Sequence, residues 1–203
     1  MHTFHPMTIT RTLLASFLLI SVVQLHAQGN RLPTPDKSPL DISYYPPNYP
    51  VLKIQDKLTE PLLARVIYSR PSKGGRTIVG DLVEYGQVWR MGANEATEIE
   101  LFRDVRILSG KLKKGRYTLY AIPGQELWTV IFNRETDTWG AFRYDAAKDA
   151  LRVDIKPERT KELSEVLTMY FERNGAQVDL ILRWDDIRLS IPFIAEPAVK
   201  GKG

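Results

Sequence analysis

The chain of 203 residues contains no cysteine, and its three histidines, His2, His5 and His26, all fall within the first 26 positions. A mature protein without that segment has neither thiol nor imidazole. Ser-His-Asp and Cys-His nucleophilic sites, thiolate or imidazole zinc sites, disulfides and ordinary haem ligation all require those side chains and are excluded. Runs of five or six like charges are lacking as well, since Lys and Arg alternate with acids along the chain. Nucleic-acid binding is therefore not expected. The acids form no EF-hand loop, because Asp145, Asp149 and Asp154 are too scattered, so neither metal nor cofactor is indicated. Carboxylate, Lys, Arg, Tyr, Ser and Thr chemistry is what remains.

The N-terminus does carry a signal. One basic residue, Arg11, precedes the apolar run Leu13 to Val23, and Gln24-Leu25-His26-Ala27-Gln28 follows. This is the n-, h- and c-region order of a secretory signal peptide with cleavage after Ala27. The apolar run is short of the roughly 20 residues that span a bilayer. The expectation is an exported protein, periplasmic or secreted, without a stable membrane anchor, and with no cysteine to carry a lipid. Cleavage leaves 176 residues with 27 Lys and Arg against 24 Asp and Glu, enough for one domain whose stability rests on a core rather than on disulfides.

Residues 28–62 hold seven of the thirteen prolines, including the stretch Tyr44-Tyr45-Pro46-Pro47-Asn48-Tyr49-Pro50. Proline fixes φ and removes the donor that a central strand needs, so this reads as an extended arm, packed on the domain or serving as a linker. From Leu63 the pattern turns to short β runs. Leu151 to Lys156, Val178 to Trp184 and Ile187 to Phe193 alternate apolar and polar residues, as do Thr97 to Leu101. Tyr117 to Ile122 and Trp128 to Phe132 are apolar on both faces, as central strands are. Turn signals at Ser109-Gly110, Pro123-Gly124, Asn174-Gly175 and Asp185-Asp186 separate the runs. The expectation is an all-β, single antiparallel β-sandwich over residues 63–195, jelly-roll or immunoglobulin-like, with a flexible tail at 196–203. Glu158 to Leu167 is the best helical candidate, and Gly80 to Tyr85 a weaker single turn; either could be a loop.

Four stretches in order are distinctive: Trp89-Arg90-Met91-Gly92-Ala93-Asn94-Glu95-Ala96-Thr97 with its lead-in Tyr68-Ser69-Arg70-Pro71; Gly115-Arg116-Tyr117-Thr118-Leu119-Tyr120-Ala121-Ile122-Pro123-Gly124; Trp128-Thr129-Val130-Ile131-Phe132-Asn133; and Trp139-Gly140-Ala141. Over roughly Leu63 to Phe193 the chain resembles an exported bacterial family, domain of unknown function 2911. The resemblance implies an extracytoplasmic protein of Bacteroidetes-like bacteria, and implies no activity, ligand or catalytic residue. Met91 stands where the family motif has Thr, and the Pro-rich arm replaces the usual lead-in.

The residue chemistry singles out Arg70, Arg90, Asn94 and Glu95. A guanidinium can clamp a carboxylate or phosphate bidentately, an amide can orient a polar ligand, and a carboxylate can accept from hydroxyls or act as acid or base. A structural reading competes and is preferred, in which Trp89 is core, Gly92 makes a turn and Glu95 pairs with Arg70 or Arg90. Trp139 lies in a turn-like stretch where a ring can stack on a sugar, with Tyr144 nearby, whereas Trp128 and Trp184 are in phase with the core. Lys73-Gly74-Gly75-Arg76 lacks the spacing of a phosphate loop and reads as a basic turn.

The function expected is non-catalytic binding of a polar small molecule such as a small organic anion, a glycan, or an envelope protein. Two alternatives stand beside it. One is a sugar hydrolase with Glu95 as acid or base and a second carboxyl from Asp81, Glu84 or Glu98, although strand alternation sends Glu98 and Glu100 to a solvated face. The other is an assembly protein that docks through its arm. Mass spectrometry of the exported protein is expected to give an N-terminus at or near Gln28; an intact Met1 terminus sedimenting with membranes would mean a retained anchor.

Overall fold

In the computed structural model, residues 32–197 are described. The expected signal peptide, 1–27, and the end of the expected tail, from residue 198, lie outside them. The chain divides into Met1–Pro35 and a compact unit Asp36–Gly203, and the second holds all the regular structure among the described residues.

That unit is an all-β sandwich of two antiparallel sheets. Strands β1 (Leu40–Tyr45), β2 (Ala64–Ser69), β3 (Glu98–Leu101), β6 (Gly115–Ile122), β7 (Trp128–Asn133) and β8 (Asp149–Ile155) form the larger sheet in that order. The smaller sheet runs β5 (Gly110–Leu112), β4 (Val105–Ile107), β10 (Gln177–Ala195), β9 (Glu158–Asn174). The larger sheet is thus a meander interrupted once, where the β4–β5 hairpin leaves to join the other layer. Alternation explains the packing: Val66, Ile99, Leu101, Leu119, Val130, Phe132 and Val153 point inward from one sheet and meet Leu167, Met169, Leu180, Leu182, Leu189, Ile191 and Phe193 of the other. The Phe132 and Phe193 rings meet edge to face at 6.1 Å across this layer.

The longest strand, β10, contains a phase change. Val178, Leu180, Leu182 and Trp184 are buried at even positions, then Ile187, Leu189, Ile191 and Phe193 at odd ones. The switch falls at Asp185-Asp186, expected as a hairpin turn. It is instead an irregularity within one strand: Asp185 has φ 54°, and the register with β9 shifts on either side of it. A turn and a bulge both insert residues between two alternating runs, so the pattern alone does not distinguish them. The Lys73 ammonium pairs with the Asp185 carboxylate, which ties the basic turn 73–76 to the bulge.

One further expectation is corrected. Glu158 to Leu167 is strand, not helix. Residues along β10 present backbone donors and acceptors that need partners, and this requirement outweighs a weak helical propensity. Cross-strand ion pairs Arg159–Asp186 (2.6 Å), Arg183–Glu162 (3.3 Å) and Arg188–Glu158 (3.2 Å) line the extension. The Pro-rich stretch, from Asp36, belongs to the compact unit. Its β1 pairs with β2 from Leu40↔Ser69 to Tyr45↔Ala64, and a short helix α1 (Tyr49–Ile54) follows. The prolines flank β1 rather than interrupting it, and Pro50 sits in the first helical turn, where a missing N–H costs nothing. Tyr45 is buried, with its ring 6.3 Å from that of Phe171.

Deleting Asp185 and Asp186 together places Ile187 directly after Trp184, on the opposite face, and should move Ile187, Leu189, Ile191 and Phe193 out of the core. At about 2–5 kcal/mol for each lost apolar side chain, the total exceeds the roughly 5–15 kcal/mol that holds a domain folded. Circular dichroism and urea titration are expected to show no cooperative unfolding; a cooperative transition near that of the parent would mean the bulge does not set the phase.

Candidate functional site

The motif from Trp89 to Thr97 takes over the edge of β6 where β3 stops. Trp89 exchanges both main-chain hydrogen bonds with Ala121 (2.8 and 2.9 Å), and Leu119 N–H donates to Thr97 O (2.8 Å). The Trp89 ring stacks on Trp184 (6.1 Å, 18°) and meets Trp128 edge-on (6.1 Å, 90°), while its indole N–H donates to Gly92 O. Thr97 Oγ1 donates to Met91 O at 2.9 Å within the core. Three tryptophans therefore anchor the motif from inside.

The four singled-out residues do not share one site. Arg70 is a strut: its guanidinium meets Asp41 of β1 (3.0 Å), Thr168 Oγ1 (3.1 Å) and Leu167 O (3.4 Å) of β9. Asn94, at φ 55°, donates from Nδ2 to Asp36 (3.0 Å), and its main-chain carbonyl accepts from Gly140 N–H (2.9 Å). Glu95 is exposed and bridges Trp139 through the main chain. The expected pairing of Glu95 with Arg70 or Arg90 does not form, because Arg70 is already held by Asp41 and Glu95 faces a different pocket from Arg90. Arg90 lines a separate pocket of about 310 Å3 with Leu82, Glu84, Gln87, Trp89 and Ala141.

Glu95 lines an open pocket of about 330 Å3 with Leu40, Ile67, Glu98, Arg116 and Asp137. Glu98, expected in water, has a side chain only 14% exposed, since residues 134–148 fold across this outer face. It holds Arg116 at 2.5 Å, and Arg116 also pairs with Asp137 at 2.8 Å. Glu100 likewise pairs with Arg65 at 2.6 Å. The Arg116 guanidinium holds the Asp137 carboxyl below its ordinary value. Its contribution to the fold is in place above the unfolded value of 3.8 and is lost as pH falls through the lower folded one. The two other carboxyls in this pocket's lining, Glu98 and Asp137, are thus committed to Arg116.

The connection from β7 to β8, residues 134–148, is long for a hairpin yet pinned throughout. Thr118 Oγ1 donates to Glu135 O (2.6 Å), Ala96 N–H to Thr138 O (3.0 Å) and Arg134 N–H to Lys148 O (2.9 Å), and Lys148 pairs with Glu135. Tyr120, Ile131 and Ala96 form a second small core beneath it, with the Tyr144 ring 5.1 Å from Tyr120. Burial, then the Asp149 carboxylate, push the Tyr144 hydroxyl up to about 12, and it donates to Asp149 at 2.7 Å. On this fixed loop Trp139 is 61% exposed and Phe142 83%. Both line a concavity of about 570 Å3 with Glu135, Asp137, Arg143 and Lys148. Gly140 between them has φ 67°, and a Cβ there would lie 2.7 Å from the Phe142 ring, so only glycine lets the ring lie against the main chain. Phe142 was not singled out in the sequence; an aromatic outside any strand phase, three residues after Trp139, is the signal it carries.

Among the described residues, no group of three or more acids could hold a metal ion, and no helix is long and apolar enough to cross a membrane. The profile of the family described as "Protein of unknown function (DUF2911)" matches residues 52–193. The chain belongs to that family. The match begins within α1, so the end of the Pro-rich stretch lies inside the family segment. No curated protein and no solved structure matches the chain.

With no ion pair joining them, Glu95→Gln and Arg90→Met should act independently. Urea unfolding of the two single variants and the double variant is expected to be additive within about 0.5 kcal/mol; a coupling well above that would mean the two groups interact.

Proposed function

We propose that this exported DUF2911 protein binds a glycan, without catalysis, on the Trp139–Phe142 face of the loop 134–148. The observation that carries this reading is the exposure of two large aromatic rings on a loop that hydrogen bonds and ion pairs hold in place. Exposed rings of this size leave apolar area in water, which a partner surface can remove. The surroundings favour a sugar as that partner. Glu135, Asp137, Arg143 and Lys148 ring the concavity with acceptors and donors, so apolar C–H faces can stack on the rings while hydroxyls bond to the rim. Rigidity adds to affinity, because little loop entropy is lost on binding.

The hydrolase alternative is less well supported. Glu95 shares a pocket with Glu98 and Asp137, but both are tied to Arg116, and Asp137, whose carboxyl is held below its ordinary value, is a poor proton donor near neutral pH.

A glycan array followed by calorimetry on the retained sugar is the test. Trp139→Ala and Phe142→Ala are each expected to weaken binding about tenfold or more, with unfolding free energies within about 0.5 kcal/mol of the parent, as for surface positions. An array with no retained sugar, or binding indifferent to both changes, would refute the reading; release of a shorter sugar would replace binding with hydrolysis.

A further inference from the structure

The pocket around Arg90 borders the same loop but has different lining: Ala141 lines it, whereas Trp139 and Phe142 line the proposed glycan face. Its charge state is unusual within this fold. Three arginines, Arg65, Arg90 and Arg183, have a buried Nε without a hydrogen-bond partner. Arg65 and Arg183 each hold a carboxylate through another guanidinium nitrogen, Glu100 at 2.6 Å and Glu162 at 3.3 Å. Arg90 holds none among the described residues. Burial alone draws its pKa down, with no neighbouring acid to offset it. Arginine nevertheless remains protonated in proteins, so this is a partly desolvated positive charge without a counter-ion.

The position of Arg90 is imposed rather than incidental. Its main-chain neighbours are fixed by the Trp89–Ala121 hydrogen bonds and by Thr97 N–H, which donates to Arg90 O at 3.1 Å. The stacking of Trp89 on Trp184 fixes the main chain from which Arg90 projects. Around it, Leu82, Val88, Trp89 and Ala141 supply apolar wall, Gln87 an amide and Glu84 the one carboxylate in the lining. A pocket of about 310 Å3 is at the small end for ligand sites.

We infer that this pocket binds a small monocarboxylate with an apolar body, its carboxylate on Arg90 and its body against Leu82, Val88 and Trp89. The guanidinium fork matches a carboxylate bidentately. A second negative charge on the ligand would have to leave water beside the apolar wall with no further cation in the lining, which selects against sulfate, phosphate and dicarboxylates. Glu84 itself is exposed and stays hydrated, so it does not neutralise Arg90 at ion-pair distance.

Titration of the purified protein with sodium benzoate, followed on the Arg90 Nε–H resonance by NMR, tests this. Saturable shifts are expected with a Kd of roughly 1 mM or tighter. Benzamide, the same shape without the charge, should bind at least about tenfold more weakly, and sodium sulfate should not compete. Glu84→Gln should tighten benzoate binding, Arg90→Gln should abolish it, and Trp139→Ala should leave it unchanged, which separates this site from the glycan face. No saturable shift with benzoate, equal binding of benzamide, or benzoate binding that survives in Arg90→Gln would each overturn the inference, and the first two require no folded variant.

Discussion

The apolar layer between the two sheets is the constraint on which the rest depends. In a domain without disulfides, folding rests on burying alternate residues of every strand against the opposite layer. The demand is strictest on β10, whose two halves present opposite parities to the same core. Only an extra residue in the strand reconciles them, and the left-handed Asp185 supplies it. From that bulge follow the register of β9 and the docking of the turn 73–76 through Lys73. The ion-paired extension in which Glu158 to Leu167 is held as strand follows as well.

The outer face of the larger sheet is organised by a second, smaller principle. A six-stranded sheet with only one covered face would leave Tyr120 and Ile131 in water. The 134–148 connection and the motif around Ala96 cover them, and Arg116, Glu98 and Asp137 seal the seam with charge. The covering loop cannot bury all of its own apolar side chains, because its inner surface is already occupied. Trp139 and Phe142 are left outward, and Arg90 is left at the seam without an ion-pair partner among the described residues. Both candidate sites are thus by-products of how one loop closes over one sheet.

The legible part of the molecule is the part governed by local periodicity. Alternation identified β3, β8 and both halves of β10, runs apolar on both faces identified β6 and β7, and the in-phase positions of Trp128 and Trp184 placed them in the core. Proline content misdirected the reading of β1, because a count over a window does not register that the prolines fall at the strand's borders. For the candidate site the sequence showed which groups were chemically capable, and Trp139 was rightly seen to lie outside the strand phase. It did not show that Arg70 would be consumed by Asp41 and Thr168, nor that Phe142 would join Trp139.

Residue types and their spacing by themselves determined the all-β class, the lack of any cysteine thiol, and the membership in a family over most of the chain. Tertiary structure alone decided which charges are paired and which are free. Arg70 and Arg90 are the same side chain in neighbouring motifs, yet one faces a carboxylate delivered by β1 from 29 positions away and the other faces an open pocket. Spacing along the chain governs which face of a strand a residue occupies, but the partner it meets there comes from whichever distant strand or loop the sheet order brings beside it.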